Sequence, residues 1–532
     1  MATPIETLYA AAFQAMRSDD LVRAESVFNQ IVAIDAKSHL AWNLLGIIAI
    51  RLGMPDVGVT RANNAVNLDK RNAGYLNTLA VALGEIGELE QAQKNLQKAI
   101  KFKPGFAEAY YNLGKVYLKL GNASQAIDSY RRAYAIDPGY AGLRFNYAYV
   151  CRLSGDVALA RRLLSELRQV DPLDADAATM MLEIDSQGLD SGKQLEIFAS
   201  EIARFPHLAA VRERYATLCL TAGHLEEGWG SYWFRLCLPM SVRQDRLDKP
   251  DSLPLFPPNF NGQVVLVRAE QGIGDMLFFL RFLDDLKQRG CKILLEVQPK
   301  LLPVFSGLGI ADELIGQKNF QVASVSGGVL AWAGDLPLLL QNFSYAAPLT
   351  LRPDPLLVAE WRRKLAAYGP GPYLGLTWRA GTDGSRTAEF DALGSPLRSL
   401  SKHIPVEALG RAVRAWPGTF LSLQRLAYAD DLKKLGEALP RTIIDLSAIN
   451  DDLQSMLALL ACLDDYVCVS NTNVHLRAGM GMTGRVLVPE PEYRWGAEGD
   501  ESPWFPGWNV YRKASDAGWD KALAKLQSDL KP

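Results

Sequence analysis

The chain has 532 residues, room for about three or four domains at roughly 100 to 200 residues each. Hydrophobic residues make up 48% and charged residues 22%, a globular composition that excludes intrinsic disorder and fibrous repeats. Lys and Arg number 57 against 59 Asp and Glu, a net charge of -2, so no basic excess serves a phosphate backbone and nucleic acid is excluded as the expected partner. The six cysteines, Cys151, Cys219, Cys237, Cys291, Cys462 and Cys468, form no CxxC pair, which argues against a zinc site or a disulfide framework and for a reducing compartment. The start, Met-Ala-Thr-Pro-Ile-Glu, lacks the basic and apolar regions of a secretory signal, and no apolar run reaches the about 18 residues of a membrane span. The expectation is a cytoplasmic protein with no integral membrane segment.

A period of 34 residues organises the first half. Tyr110, Leu113, Gly114, Tyr117, Gly121, Ala126, Tyr130, Ala133 and Pro138 are matched 34 residues earlier by Leu79, Ala80, Leu83, Gly87, Ala92, Leu96, Ala99 and Pro104. Further steps give Leu45, Gly46, Gly53 and Ala65, then Tyr147, Ala148, Gly155, Ala160 and Pro172. Five copies are clear. Two divergent ones, keeping Phe198 and Pro206 and then Tyr215, Gly223 and Tyr232, end near Met240. The spacing predicts pairs of antiparallel helices, with small residues letting backbones approach and aromatics filling the space between. These units resemble tetratricopeptide repeats, and the first expected domain is an all-α solenoid over residues 1–243.

In such a solenoid the first helix of each pair contributes most to the concave surface. Asn112 and Asn146 share one repeat position there, and Asn43 and Asn77 share the position one residue earlier. Two roles are open to them: satisfying local backbone groups, or gripping a protein acceptor's backbone, as in the resembling superhelix of the O-GlcNAc transferases.

Between residues 244 and 260 the helical period stops and Pro250, Pro254, Pro257 and Pro258 crowd together, which predicts a linker. Short apolar runs then alternate with amphipathic stretches, the pattern of a parallel sheet. Residues 264–267, 293–297 and 328–331 read as strands of one unit, with a helix over 276–288. A second unit begins near residue 371, with strands over 373–378, 419–423, 442–445, 466–470 and 485–488. Two successive doubly wound units suggest two Rossmann-like α/β domains, 261–370 and 371–532, facing a cleft.

The first strand leads into Gly272-Ile273-Gly274-Asp275. Glycines at such a turn let a ligand approach the backbone, and a helix amino terminus favours negative charge. Asp275 is open to two roles, helix N-cap or catalytic carboxylate. Together with Leu374-Gly375-Leu376-Thr377-Trp378, Ser422-Leu423-Gln424 and residues 469–481, this turn resembles the bacterial heptosyltransferase family of glycosyltransferases (family 9-like), from about Asn261 onward. That resemblance implies the GT-B fold and a metal-independent, inverting transfer from a nucleotide-sugar substrate, with no cofactor. It places Asp275 as the general base that deprotonates an acceptor hydroxyl.

In the second unit Ser470-Asn471-Thr472-Asn473-Val474-His475 joins a strand to a helix, at the edge where open parallel sheets bind ligands. Its hydroxyls, amides and backbone N–H groups suit a diphosphate without a metal. The family has Asp-Thr where this chain has Ser470-Asn471, and helix capping is the alternative reading, with His475 bonded to backbone. Arg379, Gly381 and Thr382 are further candidates for donor phosphate, with Arg398 open to surface solvation, and Gly272, Gly274 and Gln424 also join the donor set. The resemblance puts the loop holding Glu490 beside the nucleoside. Trp504, Phe505 and Trp508 read as packing, and no metal site is expected.

Solenoid and transferase together point to a protein glycosyltransferase acting on Ser or Thr of a recruited polypeptide, flagellin being one acceptor that resembling proteins modify. Two rivals remain: a heptosyltransferase-like enzyme with a lipid or oligosaccharide acceptor, and a scaffold with an inactive transferase domain.

Overall fold

The structure is a computed structural model that describes residues 4–249, 253–317, 328–380, 402–426, 429–489, 491–514 and 518–530. An all-helical solenoid comes first: 15 helices run from Pro4–Arg17 to Met240–Asp248, and sheet-forming chain follows. The described residues up to Ile184 form one compact unit and those from Asp185 onward form another.

In the first unit helices pair as the 34-residue period requires, for example Ala107–Lys119 with Ala123–Ile136. The repeated alanines Ala80, Ala92, Ala99, Ala126, Ala133 and Ala160 are fully buried, so small side chains set the distance between helices. At Gly114 the approach is closest: a Cβ there would fall 2.5 Å from Cε1 of the buried Tyr130. The turn glycines Gly53, Gly87, Gly121 and Gly155 have φ of +74°, +84°, +76° and +85°, the left-handed conformation that glycine adopts without cost.

The second unit opens with the helices Ser191–Arg204, Ala209–Ala222, Leu225–Tyr232 and Met240–Asp248. The helical period therefore runs past Gln244, where the sequence predicts that it stops. The reason is tertiary: the Arg246 guanidinium lies 3.5 Å from the Trp233 ring centre and bonds Asp335, contacts that override a polar stretch of low helical signal.

Two parallel sheets follow. The first holds β1 (Val264–Arg268), β2 (Lys292–Val297), β3 (Glu313–Gly316) and β4 (Val329–Trp332) in the order β3-β2-β1-β4. The second contains β5 (Tyr373–Thr377); a two-stranded antiparallel pair, β6 (Arg379–Ala380) with β7 (Lys402–His403), comes next in the chain. With β8 (Thr419–Ser422), β9 (Ile443–Asp445), β10 (Asp465–Val469), β11 (Arg485–Val488) and β12 (Asn509–Arg512), the second sheet has the order β12-β11-β10-β5-β8-β9. That is the doubly wound order, in which the order of strand addition reverses between the first and fourth strands and opens a crevice at their carboxyl ends. The reversal falls between β1 and β4 in one sheet and between β5 and β10 in the other.

Strands β3 and β12 are absent from the sequence-based expectation. The first is a half-buried edge strand of four residues, and the second follows a Trp, Pro and Gly-rich stretch, so neither presents an apolar run. The helix expected over 276–288 is broken into Ile273–Phe279 and Leu283–Gln288 by a 3-10 turn. No helix among the described residues is long and apolar enough to cross a membrane.

Gly114→Ala should cost the first unit about 1–3 kcal/mol through overpacking against Tyr130, read as a lower unfolding midpoint in urea. An unchanged midpoint would mean that Tyr130 yields without strain.

Candidate functional site

At the carboxyl end of β1, Glu270 turns toward β4 and accepts a bond from the Gly334 backbone N–H at 3.1 Å. The same carboxylate oxygen takes the Arg235 guanidinium through Nε at 2.9 Å and Nη2 at 2.7 Å. Arg235 also reaches Asp335, which holds Arg246 with both oxygens. Two arginines from the helical segment thus fill the crevice of the first sheet. A Cβ on Gly334 would fall 2.5 Å from Glu270 Oε1, so the backbone approaches as closely as glycine permits. Burial, reinforced by Asp335, raises the Glu270 carboxyl from its ordinary 4.5 to about 7, against the pull of Arg235.

Gln271 extends this anchorage by donating to the Tyr232 hydroxyl at 2.7 Å. The turn then enters the helix Ile273–Phe279, whose N-cap residue is Gly272. Asp275 lies three residues inside that helix, so the capping role open to it in the sequence is not the one it adopts. Its carboxylate Oδ1 pairs instead with Arg494 Nη2, from the loop after β11. Arg494 Nη1 holds Glu492 at 2.7 Å, and Glu492 holds Lys402 at 2.8 Å. Lys402 and Arg494 keep the Glu492 carboxyl down at about 2, although burial opposes them.

Across from Gly274 stands His475, its Nε2 only 3.6 Å from where a Gly274 Cβ would lie. Burial holds this imidazole well below its ordinary 6.5, and the nearby cations Arg494, Arg281 and Lys402 push the same way. His475 is therefore neutral at pH 7. Arg281 is buried beside it, lowered to about 9 by burial and by Arg494, and donates to the carbonyls of Phe278, Ala346 and Trp504.

The polar turn after β10 meets much of its own demand. Asn471 caps the helix Thr472–Gly479 by accepting from the N–H groups of Asn473 and Val474. Asn471 and Asn473 both donate to the Tyr466 hydroxyl, which also bonds Thr377 at 2.8 Å. Ser470 is buried and Thr472 partly exposed. Gln424 spans the end of β5, accepting from the N–H groups of Trp378 and Arg379 and donating to the Arg379 and Arg425 carbonyls. Arg379 itself bonds the Leu426 carbonyl and lies 3.8 Å from Asp431.

The structure therefore brings together Gly272, Gly274, Asp275, Thr472 and His475, while Gln424 and Arg379 serve the end of β5. Gly381, Thr382, Arg398 and Glu490 lie outside the described residues. Trp504, Phe505 and Trp508 are buried in the core, where packing predicts them. Arg494 comes from the loop that the resemblance puts beside the nucleoside, whereas Glu492, Lys402, Glu270 and Arg235, which complete the site, escaped the sequence reading. Of these, Glu270 alone carried a signal, an acid directly before the glycine turn. A pocket of 310 Å³ lies apart from all of them, lined in part by Ser306, Arg352, Asp354 and Gln454.

In the first unit, Asn112 donates to Asn77 Oδ1 at 2.9 Å and Asn77 to Glu108 at 3.0 Å. Asn146 is fully buried and donates to the Tyr111 hydroxyl at 2.7 Å, and Asn43 is also buried. Asn77 and Asn112 are thus linked to each other, while Asn146 serves Tyr111; of the four amides only Asn112 is not buried.

Comparison with known proteins identifies the repeat class. The TPR repeat model matches residues 85–121 and the tetratricopeptide repeat model residues 107–140, so the solenoid carries tetratricopeptide repeats. Protein FlbA of Caulobacter vibrioides is 24% identical to the chain, over 98% of this chain and 89% of that protein. The TPR repeat-containing thioredoxin TTL4 of Arabidopsis thaliana is 32% identical over 15% of this chain and 12% of that protein. Among solved structures, a tetratricopeptide repeat protein from Parabacteroides merdae covers 46% of this chain and 97% of its own, at 17% identity and a TM-score of 0.37.

Two measurements check these arrangements. Glu270 binds its proton more tightly folded than unfolded, so its contribution to stability is full below about 4.5 and lost as pH rises through about 7. Wild-type stability minus that of Glu270→Gln should fall across this window, on the order of 1 kcal/mol per pH unit, and a flat difference would contradict the raised carboxyl. Asn146→Ala should destabilise the first unit by about 1–3 kcal/mol and Asn112→Ala by about 1 or less, measured by urea unfolding; equal costs would contradict their different burial.

Proposed function

We propose that the chain is a protein glycosyltransferase: the solenoid recruits a polypeptide, and the two-sheet unit moves a sugar from a nucleotide-sugar to a Ser or Thr hydroxyl. In this reading the sheets are the lobes of a GT-B module divided near residue 370, the second binds the donor, and the reaction runs in the cytoplasm without a cofactor. A flagellin has the right chemistry as acceptor.

The observation that carries this reading is the meeting of Asp275 and Gly274, beyond β1, with Thr472 and His475, beyond β10. Both belong to carboxyl-edge segments at reversals of strand order, where doubly wound sheets take ligands. Asp275 Oδ2 would accept the hydroxyl proton as that oxygen attacks the anomeric carbon. The bond from that carbon to the diphosphate breaks, the nucleoside diphosphate leaves, and the anomeric configuration inverts. Arg494 and Lys402 provide the positive charge that a leaving diphosphate requires, and His475 stands beside them as a neutral hydrogen-bonding group. The rival scaffold reading draws on Asn471 and Asn473, whose amides close on Tyr466 within the fold.

The test is intact-mass analysis of a flagellin co-expressed with the wild-type chain or with Asp275→Asn. A sugar-sized gain with the wild type, reduced about 100-fold or more by Asp275→Asn, is the expected result. Equal gains would remove Asp275 as the base. No gain in either, with a nucleotide-sugar still bound, would favour the scaffold.

A further inference from the structure

The pairing of Asp275 with Arg494 leaves the guanidinium half used. Nε and Nη2 form one edge of its plane, the fork that matches a carboxylate or phosphate through two parallel bonds. Asp275 takes Nη2 alone, and Nε is buried without a hydrogen-bond partner among the described residues. The opposite nitrogen, Nη1, is committed to Glu492, which Lys402 holds from its other oxygen. Arg494 is thus fixed in place while its fork edge is incompletely satisfied.

The charge balance points the same way. Arg494, Lys402 and Arg281 bring three positive charges to the surroundings of His475, against two negative ones from Asp275 and Glu492. The bonds of Arg281 among the described residues go to backbone carbonyls. Among these described groups one positive charge remains in excess even with Asp275 ionised. The Asp275 side chain is 28% exposed and that of Arg494 12%, while Nε itself is shielded, so an anion reaches that edge as Asp275 swings out.

We propose that Arg494 alternates between Asp275 and the diphosphate of an incoming ligand: the anion takes the Nε and Nη2 edge, and Asp275 Oδ1 is released. This rests on the transferase reading of the same site and adds its regulation, because the ligand that brings the sugar also frees the carboxylate that must act on the acceptor. Before binding, Asp275 is engaged. After binding, both of its oxygens are available, and the anion sits beside Gly274, Thr472 and His475.

Titration calorimetry of the full chain with inorganic pyrophosphate tests the exchange without any transfer assay. Asp275 competes with the anion for Arg494, so Asp275→Asn should tighten pyrophosphate binding about two- to fivefold, the yield of a partly exposed ion pair. Arg494→Lys keeps the charge but loses the fork and should weaken it by about tenfold or more. Circular dichroism confirms that each variant is folded; the decisive comparison is wild type against Asp275→Asn, an isosteric change at a partly exposed position. Unchanged or weaker binding by Asp275→Asn overturns the proposal, as does the absence of binding by both proteins. The expected pattern with no sugar transfer would sustain the exchange and remove the transferase reading, whereas transfer without the tightening would remove the exchange alone.

Discussion

A guanidinium with no solvent exposure must be met by carboxylates, and Arg235 meets two of them. Removing one partner of such a pair typically costs about 3–5 kcal/mol, because a charge is stranded in a low-dielectric interior. The helices from Ser191 to Asp248 are bound to the first sheet by that penalty, and by the packing of Trp229 and Tyr232 against Phe279. This is why the compact boundary falls at residue 184 while the helical repeat runs on. It also explains why the turn carrying Asp275 is held from one side by Glu270 and Gln271 before its own helix begins.

The repeat was legible because packing in a solenoid is local: each alanine and turn glycine answers to neighbours about 34 residues away, and the period exposes them. The strands β1, β2, β5, β8 and β10 were legible because strands covered on both faces must be apolar. Edge strands carry no such demand: of the four, β4 and β9 were legible while β3 and β12 were missed. The site divides the same way. Gly272, Gly274, Asp275 and His475 are carried by strand-to-helix turns and could be named from the sequence. Their electrostatic partners come from the far end of the chain: Arg494 lies 219 residues from Asp275, and Lys402 lies 90 from Glu492. No local pattern reports contacts of that span.

The polar turn after β10 shows why residue type alone misleads. Asparagine and threonine at a strand-to-helix junction suit a ligand, yet Asn471 and Asn473 are largely engaged with a helix cap and the buried Tyr466 hydroxyl. A buried tyrosine needs partners as much as a ligand does. His475 differs: its side chain packs near Phe278 and Phe505, and its neutrality follows from burial in a field of cations. The chemistry of this turn therefore lies in its position beside Arg494 more than in its amides.

Two design features at this seam then become one. Arg235 and Arg246 occupy the carboxyl end of the first sheet through Glu270 and Asp335, and the proposed ligand site lies instead toward the second sheet, where Gly274 faces His475. There the charges are unequal, and a single-bonded ion pair occupies a fork suited to two bonds. An arrangement with equal charges and a bidentate pair would be a structural clamp with nothing to gain from a ligand. The unused Nε leaves the Asp275 pair as the contact of Arg494 that falls short of a full fork, and the proposed exchange draws on that shortfall.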